Sequence, residues 1–365
     1  MRLDELDYHL PHDQIAQRPA ERRDASRMLL LNRTDGGYRD RLFTDFIEQL
    51  RGNELLVLNN ARVIPARLFG RRAAAKPAAG PRSVPSEPPV TKVEVFLSRR
   101  RESDTWEALV RPGRKVLVGE TIFFGEGELE AKVIARGELG LRWLHFVSHD
   151  KRPVAEHLER LGHVPLPPYI AREDELSDRE RYQTVFAKRP GAIAAPTAGL
   201  HFTPEILQNV RDRGAEICEI TLDVGLGTFQ PIHGETLEGH TMHAESYEIP
   251  SQSAEQIEAA RAAGRPILAI GTTAVRALED SALRAAESGS TNLVLAGKAD
   301  AHLFIVPGFR FRVVDALLTN FHLPRSTLLA LVSAFAGREH VLAAYNHAVA
   351  AGYRFYSYGD CMLIR

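Results

Sequence analysis

Short apolar runs, separated by polar glycine-containing loops and by stretches of helical spacing, organise the second half of this chain. Residues 192–195, 217–224, 266–270 and 313–318 are such runs, and each reads as a strand. Within 217–224 the pattern alternates and places Cys218, Ile220, Leu222 and Val224 on one face. Pro204 suits the first position of a helix that follows Thr203 and ends at Gly214. Ser253 and Gln256 have capping-box spacing for a helix reaching Gly264. Further helices are predicted over 274–286, within the strand–loop–helix unit 313–336, and over 338–351, before a last strand at 353–364. Parallel strands joined by helical crossovers are the economical arrangement for that order. Leu55-Leu56-Val57-Leu58, ending at Asn59-Asn60, reads as a buried strand and is a candidate for the same sheet.

The stretch from about 63 to 155 has a different texture. Strand-like segments at 93–97, 105–110, 121–124, 130–135 and 141–147 follow one another with almost no helical periodicity. That is the pattern of a small all-β barrel or sandwich. Residues 73–91 hold 5 of the 21 prolines and read as a flexible excursion between two strands, without a fold of their own. The predicted fold class is α/β: an open α/β barrel-like or mixed α/β main domain, residues 1–62 plus 156–365. A small all-β barrel domain, 63–155, is inserted in it.

Composition narrows the class. With 365 residues, 44% hydrophobic and 25% charged, the chain has material for two cores and the balance of a soluble protein. The longest nearly apolar run, 327–336, is about half of what a membrane helix needs. The start, Met1-Arg2-Leu3-Asp4-Glu5, is too polar for a signal peptide, so a cytoplasmic protein away from membranes is expected. Two cysteines, Cys218 and Cys361, argue against a disulfide framework or a thiolate metal site. The net charge of −1 conceals an imbalance: residues 62–115 contain 13 Lys and Arg but 5 Asp and Glu. A local basic excess is either solvated surface or a footprint for nucleic acid or phosphate.

The polar residues best suited to chemistry sit where the apolar runs end. His201 follows 192–195, Gly225-Leu226-Gly227-Thr228 follows 217–224, Gly271-Thr272-Thr273 follows 266–270, and Thr319-Asn320-Phe321-His322 follows 313–318. In α/β folds the carboxyl ends of strands are where ligands bind, because the amides of the following helices point there. Gly271-Thr272-Thr273-Ala274-Val275-Arg276 opens a helix, and Arg276 is placed to fork onto a carboxylate or phosphate, although neither the P-loop nor the GxGxxG pattern is present. His233, His240, His243 and Glu245 form the richest ionisable cluster, without the HExxH spacing of a zinc site. On an extended segment His243 and Glu245 share a face, which suits an oriented imidazole that transfers protons. His201 and His322 are each a proton shuttle, a stacking partner or a core histidine by residue type alone. Tyr356, Tyr358 and Asp360 fall on alternate positions of the predicted last strand and would frame a cationic or planar ligand.

Long ordered motifs give a more specific signal. They include Leu58-Asn59-Asn60-Ala61-Arg62-Val63-Ile64-Pro65-Ala66-Arg67, Arg111-Pro112-Gly113, Pro165-Leu166-Pro167-Pro168-Tyr169-Ile170 and Glu180-Arg181-Tyr182-Gln183-Thr184. Ala195-Pro196-Thr197-Ala198-Gly199-Leu200-His201, His243-Ala244-Glu245, Gly271 to Arg276, Thr319 to Thr327 and Tyr358-Gly359-Asp360 continue the series. With these motifs the chain resembles, over nearly its whole length, the S-adenosylmethionine:tRNA ribosyltransferase-isomerase family of the queuosine pathway. Ala61 stands where that family usually has Thr, Cys361 where Ala is common, and 73–91 is longer and richer in proline.

The resemblance implies transfer of the ribosyl part of S-adenosylmethionine to 7-aminomethyl-7-deazaguanine at the tRNA wobble position. Epoxyqueuosine forms, and adenine and methionine are released. It implies S-adenosylmethionine as a cosubstrate, no cofactor and no metal, and a monomer acting on tRNA. His243 with Glu245 is the first choice for acid–base work, followed by His201 and His322. Gly271, Thr272, Thr273, Arg276, Asn320, Tyr358 and Asp360 are expected to bind substrates. Arg62, Arg67, Arg71, Arg99, Arg111, Arg114 and Lys115 are expected to grip tRNA phosphates. An RNA methyltransferase would instead release S-adenosylhomocysteine, a metal-dependent hydrolase would fail with chelators, and a non-catalytic RNA-binding protein would turn over nothing.

Overall fold

The computed structural model describes the chain except residues 74–89, 103, 139, 226–233, 238, 239, 241 and 243, and except the side chains of Ala73 and Val90. The chain divides into two compact units, Met1–Arg62 with Pro167–Arg365, and Val63–Leu166. Numbered along the chain, the strands begin with β1 (Arg27–Leu31), β2 (Tyr38–Leu42), β3 (Leu55–Asn59) and the short β4 (Ala61–Val63). There follow β5 (Arg67–Ala73), β6 (Val90–Glu102), β7 (Thr105–Arg111), β8 (Thr121–Phe124), β9 (Leu129–Arg136) and β10 (Leu141–Ser148). The short β11 (Arg189–Ala192) precedes β12 (Glu216–Leu222), β13 (Glu245–Ile249), β14 (Ile267–Ile270), β15 (Gly297–Ala301), β16 (Ala316–Asn320) and β17 (Cys361–Ile364).

The first unit is built on an open nine-stranded sheet of order β15-β13-β12-β3-β14-β16-β17-β1-β2. Its centre, β12, β3, β14 and β16, is parallel, with Cys218 beside Val57, Val57 beside Ala269, and Ala269 beside Leu317. Outside this centre the sheet is mixed, although β1 again pairs parallel with β17. β13 pairs antiparallel with β12 and β15, and β17 pairs antiparallel with β16. The fold is therefore the mixed α/β alternative, not the barrel-like one.

Both faces of the central strands are covered, which explains why their sequences are continuous apolar runs. Leu55 and Val57 of β3 join a core with Ile257, Val275, Leu278, Leu331 and Val341, while Leu56 and Leu58 join one with Phe43, Phe46, Phe202, Ile206 and Val210. Except for Phe43, Phe46 and Phe202, which lie on 3-10 turns or a loop, the covering residues are carried by α3 (Pro204–Asp212), α4 (Ser251–Ala262), α5 (Thr272–Glu287), α6 (Thr327–Ala336) and α7 (Arg338–Ala350), after the shorter α1 (Val154–Leu161) and α2 (Asp178–Arg181). The helix α3 follows its sequence signals: Thr203 Oγ1 accepts from Ile206 N at 3.2 Å, Pro204 takes the first turn, and Gly214 has φ +100°. At α4 the expected capping box is absent. Pro250 is the cap residue, and Ser253 Oγ donates to the carbonyl of Glu219 at 2.6 Å. The outer strand β2 is exposed throughout, and its Arg39, Asp40 and Arg41 give that sheet edge the charge that discourages pairing with another chain.

Two predicted strands are corrected. The run 192–195 is strand only to Ala192. The last strand is Cys361–Ile364, because Tyr356 has φ +74° and Gly359 N bonds back to Tyr356 O at 2.9 Å in a turn. Tyr356, Tyr358 and Asp360 thus do not alternate along a strand.

The second unit is a closed antiparallel barrel, β10-β7-β6-β5-β8-β9. Alternate residues such as Val93, Val95, Leu97, Ile122, Phe124, Ala131, Val133, Leu144 and Phe146 are buried and fill it. Helix α1 contacts β5 and β10, so the chain leaves this unit at Leu166, later than residue 155. Most of the Pro-rich segment 73–91 lies outside the described residues. No single helix among the described residues is long and apolar enough to cross a membrane.

Candidate active site

The carboxyl ends of β14 and β16 and the residues following β11 and β12 surround a solvent-open cleft of about 560 Å³. Three motifs far apart in sequence meet there: Ala195–Ala198, Gly271–Thr273 and Thr319–His322. Gly271 makes the approach possible, with φ +94° and its N–H bonded to Leu318 O at 2.8 Å. Helix α5 begins one residue later, so its first amides open toward the cleft, where partial positive charge attracts anionic or hydroxyl oxygens. Asn59, the polar residue that ends β3, fixes this corner. Its Nδ2 donates to Leu222 O at 3.0 Å and Thr273 Oγ1 at 3.2 Å, and its Oδ1 accepts from Ala61 N and Leu222 N.

His322 lines the cleft and is 6% exposed. Thr319 Oγ1 lies 2.9 Å from its Nε2 and donates its own proton to Asn320 O at 3.3 Å. The hydroxyl therefore accepts from Nε2–H, which leaves Nδ1 with a lone pair and no partner among the described residues. Burial pushes the His322 pKa down to about 3, so the ring is neutral near pH 7.

His201 is built differently. Its Nδ1 meets Ser26 Oγ at 2.8 Å and its Nε2 meets Asn320 Oδ1 at 3.1 Å, so both nitrogens are occupied. The Asn320 oxygen can only accept, so Nε2 carries the proton and Nδ1 accepts from the serine. Burial holds this imidazole at a pKa of about 4. Asn320 Nδ2 in turn donates to Tyr356 O at 2.9 Å and Ser357 O at 3.4 Å. A chain of polar contacts thus runs from Ser26 to the left-handed Tyr356, whose ring meets Tyr169 edge-on at 3.8 Å in the cleft wall. Tyr169 was not among the expected site residues, whereas Tyr356 was expected to help frame a ligand from a strand; it does line the cleft, but a turn aims it.

Other expected residues have different surroundings. The Arg276 guanidinium forms a buried ion pair with Glu245, and donates to Leu303 O at 3.3 Å and Ala301 O at 3.4 Å. Glu245 also accepts from Gly225 N at 3.0 Å. Arg276, expected to fork onto a substrate, pairs with Glu245 in this structure, while His243, the expected partner of Glu245, lies outside the described residues. Asp360 accepts from the backbone N–H groups of Arg27 and Arg354, both at 2.8 Å, and acts as a clip between β1 and the final turn. The Tyr358 hydroxyl donates to Asp178 at 2.8 Å. His233 and His243 lie outside the described residues. Among those described, no group of three or more His, Cys, Asp or Glu is placed to hold a metal ion.

The basic residues of the barrel are split by their partners. Arg67 pairs with Glu94 at 2.7 Å and Arg72 with Glu120 at 2.9 Å. Arg71, Arg111, Arg114 and Lys115 are exposed, Arg99 is half-buried, and Arg62 belongs to the first unit.

A family model described as "Queuosine biosynthesis protein" matches residues 3–364. The chain belongs to the queuosine biosynthesis protein family. A family relative from Solibacter usitatus, named S-adenosylmethionine:tRNA ribosyltransferase-isomerase, is 52% identical, with the whole of both chains covered. One of the same name from Moorella thermoacetica is 50% identical, again over the whole of both chains. The crystal structure of S-adenosylmethionine tRNA ribosyltransferase from Thermotoga maritima is 36% identical, covers 99% of this chain and 100% of its own, and has a TM-score of 0.52. In this member of the queuosine biosynthesis family, the cleft residues Thr197, Gly271, Thr272, Thr319, Asn320 and His322 all belong to the motifs that carry the sequence resemblance.

Proposed function

We propose that this protein is an S-adenosylmethionine:tRNA ribosyltransferase-isomerase. It moves the ribosyl moiety of S-adenosylmethionine onto 7-aminomethyl-7-deazaguanine at the tRNA wobble position. The products are epoxyqueuosine-tRNA, adenine and methionine. One observation supports placing the reaction in the cleft: three motifs of this family, more than 100 residues apart at their extremes, form a single wall there.

The sulfonium acidifies the adjacent 5′ carbon, so a modest base suffices to take a proton from it. We assign that base to Nδ1 of His322, a cleft-lining residue whose Nε2 is taken by Thr319. Burial keeps this ring unprotonated near pH 7, so it is free to accept a proton, although its low pKa makes it a weak base. The ylide expels adenine, the aminomethyl nitrogen attacks the opened sugar, ring closure forms the epoxide and methionine leaves. Gly271, Thr272 and Thr273 bind the cosubstrate's carboxylate or ribose hydroxyls at the start of α5, and Tyr169 and Tyr356 wall its cationic part. His201 positions Asn320. Arg71, Arg111, Arg114 and Lys115 contact tRNA phosphates from the barrel. The chemistry calls on no redox cofactor or metal, and the enzyme works as a cytoplasmic monomer.

Turnover of S-adenosylmethionine with tRNA bearing the aminomethyl base, followed by mass spectrometry, tests the reading. Epoxyqueuosine with equimolar adenine is expected, and S-adenosylhomocysteine in place of adenine would refute it. For His322→Ala, turnover is expected to fall by about 10²–10⁴. A loss under about tenfold would remove it as the base.

A further inference from the structure

A second, smaller cleft of about 270 Å³ shares Ser357 with the first. Arg22, Arg23, Arg181, Ser26, His201 and Tyr358 are among its lining. Arg22 is neutralised by Asp24 at 2.7 Å. Arg23 and Arg181 are not: among the described residues neither makes an ion pair with a carboxylate. Arg23 donates to the carbonyls of Gln183 and Glu180, both at 2.8 Å. Arg181 donates to the carbonyls of Ala20 and Glu21, and its buried Nε has no acceptor among the described residues.

Carbonyl oxygens satisfy guanidinium donors without cancelling their charge. Two half-buried cations therefore face one small cleft with no carboxylate in ion-pair contact among the described residues, and Glu180 acts on Arg23 only at longer range. A bound anion relieves that arrangement. The field is felt by neighbours. Burial and the charge of Arg181 hold the Arg23 pKa below its usual range, and Arg23 and Arg354 add to the downward push on His201.

We propose that this second cleft is an oxyanion subsite beside the reaction cleft, occupied by a backbone phosphate of the tRNA flanking the reacting nucleotide. The proposal rests on the tRNA-modifying reading above. The carboxylate of S-adenosylmethionine shares the same chemistry and is the other source of an oxyanion.

The experiment uses full-length Arg181→Gln and Arg23→Gln, with the charge-retaining Arg181→Lys and Arg23→Lys. It measures tRNA affinity across a salt series and KM for S-adenosylmethionine. Loss of one phosphate contact flattens the slope of log affinity against log salt by about 0.7–0.9, while the lysine variants keep it. Such flattening with KM unchanged assigns the site to the phosphate. A KM raised tenfold or more, with the slope unchanged, assigns an oxyanion site to the cosubstrate carboxylate. Slope and KM both equal to wild type in both glutamine variants overturn the proposal. Because affinity is read without turnover, a wild type that releases no adenine would sink the parent reaction and leave the subsite to stand or fall on its slope.

Discussion

Acidification tests the buried neutral histidines most directly, and His201→Gln is the informative variant. An imidazole in the unfolded chain binds its proton near pH 6.5, whereas His201 in the fold resists protonation down to about 4. The folded pKa is depressed, so the unfolded state takes up more protons between those values. The stabilisation of the neutral ring is complete above pH 6.5 and is lost as pH falls toward 4. The whole shift corresponds to roughly 3 kcal/mol, of which about 2 kcal/mol is lost between pH 8 and pH 5. Other groups titrate in the same window, including Asp223, whose carboxyl burial raises to about 6. Those contributions cancel when wild type and variant are compared at each pH. Both tryptophans, Trp106 and Trp143, lie in the barrel, so unfolding is followed by far-UV circular dichroism, which reports the helices of the first unit. Urea titrations at pH 8 and pH 5 are expected to show wild type losing about 2 kcal/mol more than His201→Gln. Equal losses in the two proteins would mean that the ring is not held neutral, and the assigned tautomer would fall with it.

Two further substitutions probe the cleft and its support. Arg276→Met strands Glu245, which is 3% exposed, and is expected to destabilise the first unit by about 3–5 kcal/mol in urea unfolding. Combining it with Glu245→Gln should recover more than half of that loss; no recovery would show that the pair is not coupled. Tyr356→Gly relieves a left-handed backbone at φ +74° and should leave the melting temperature little changed. It removes part of the cleft wall, so KM for S-adenosylmethionine is expected to rise roughly tenfold, and an unchanged KM would exclude the ring from cosubstrate binding.

Local pattern made much of this protein legible. The run 55–58, the strands 267–270 and 316–320 and the helices 204–212 and 338–350 follow from apolar periodicity and from Pro and Gly punctuation, which act within a few residues. The motif residues Gly271 to Thr273 and Thr319 to His322 were recognisable as strand-end loops for the same reason, and the cleft forms where they meet. What each side chain does was settled by partners distant in sequence. His201 and His322 are alike as residue types, yet Ser26 and Asn320 occupy both nitrogens of one, while Thr319 occupies a single nitrogen of the other. Glu245 and Arg276 were each expected at the site by residue type, and only the sheet and α5 show that they form one buried pair. The last strand failed as a prediction because a left-handed Tyr356, bonded from Asn320, bends residues that would otherwise alternate. Periodicity reports which face of an element is buried, and so the sequence determined the strands, the helices and the ends at which chemistry gathers. Charge, tautomer and aim depend on desolvation and on hydrogen bonds between elements, and only the tertiary structure decided those.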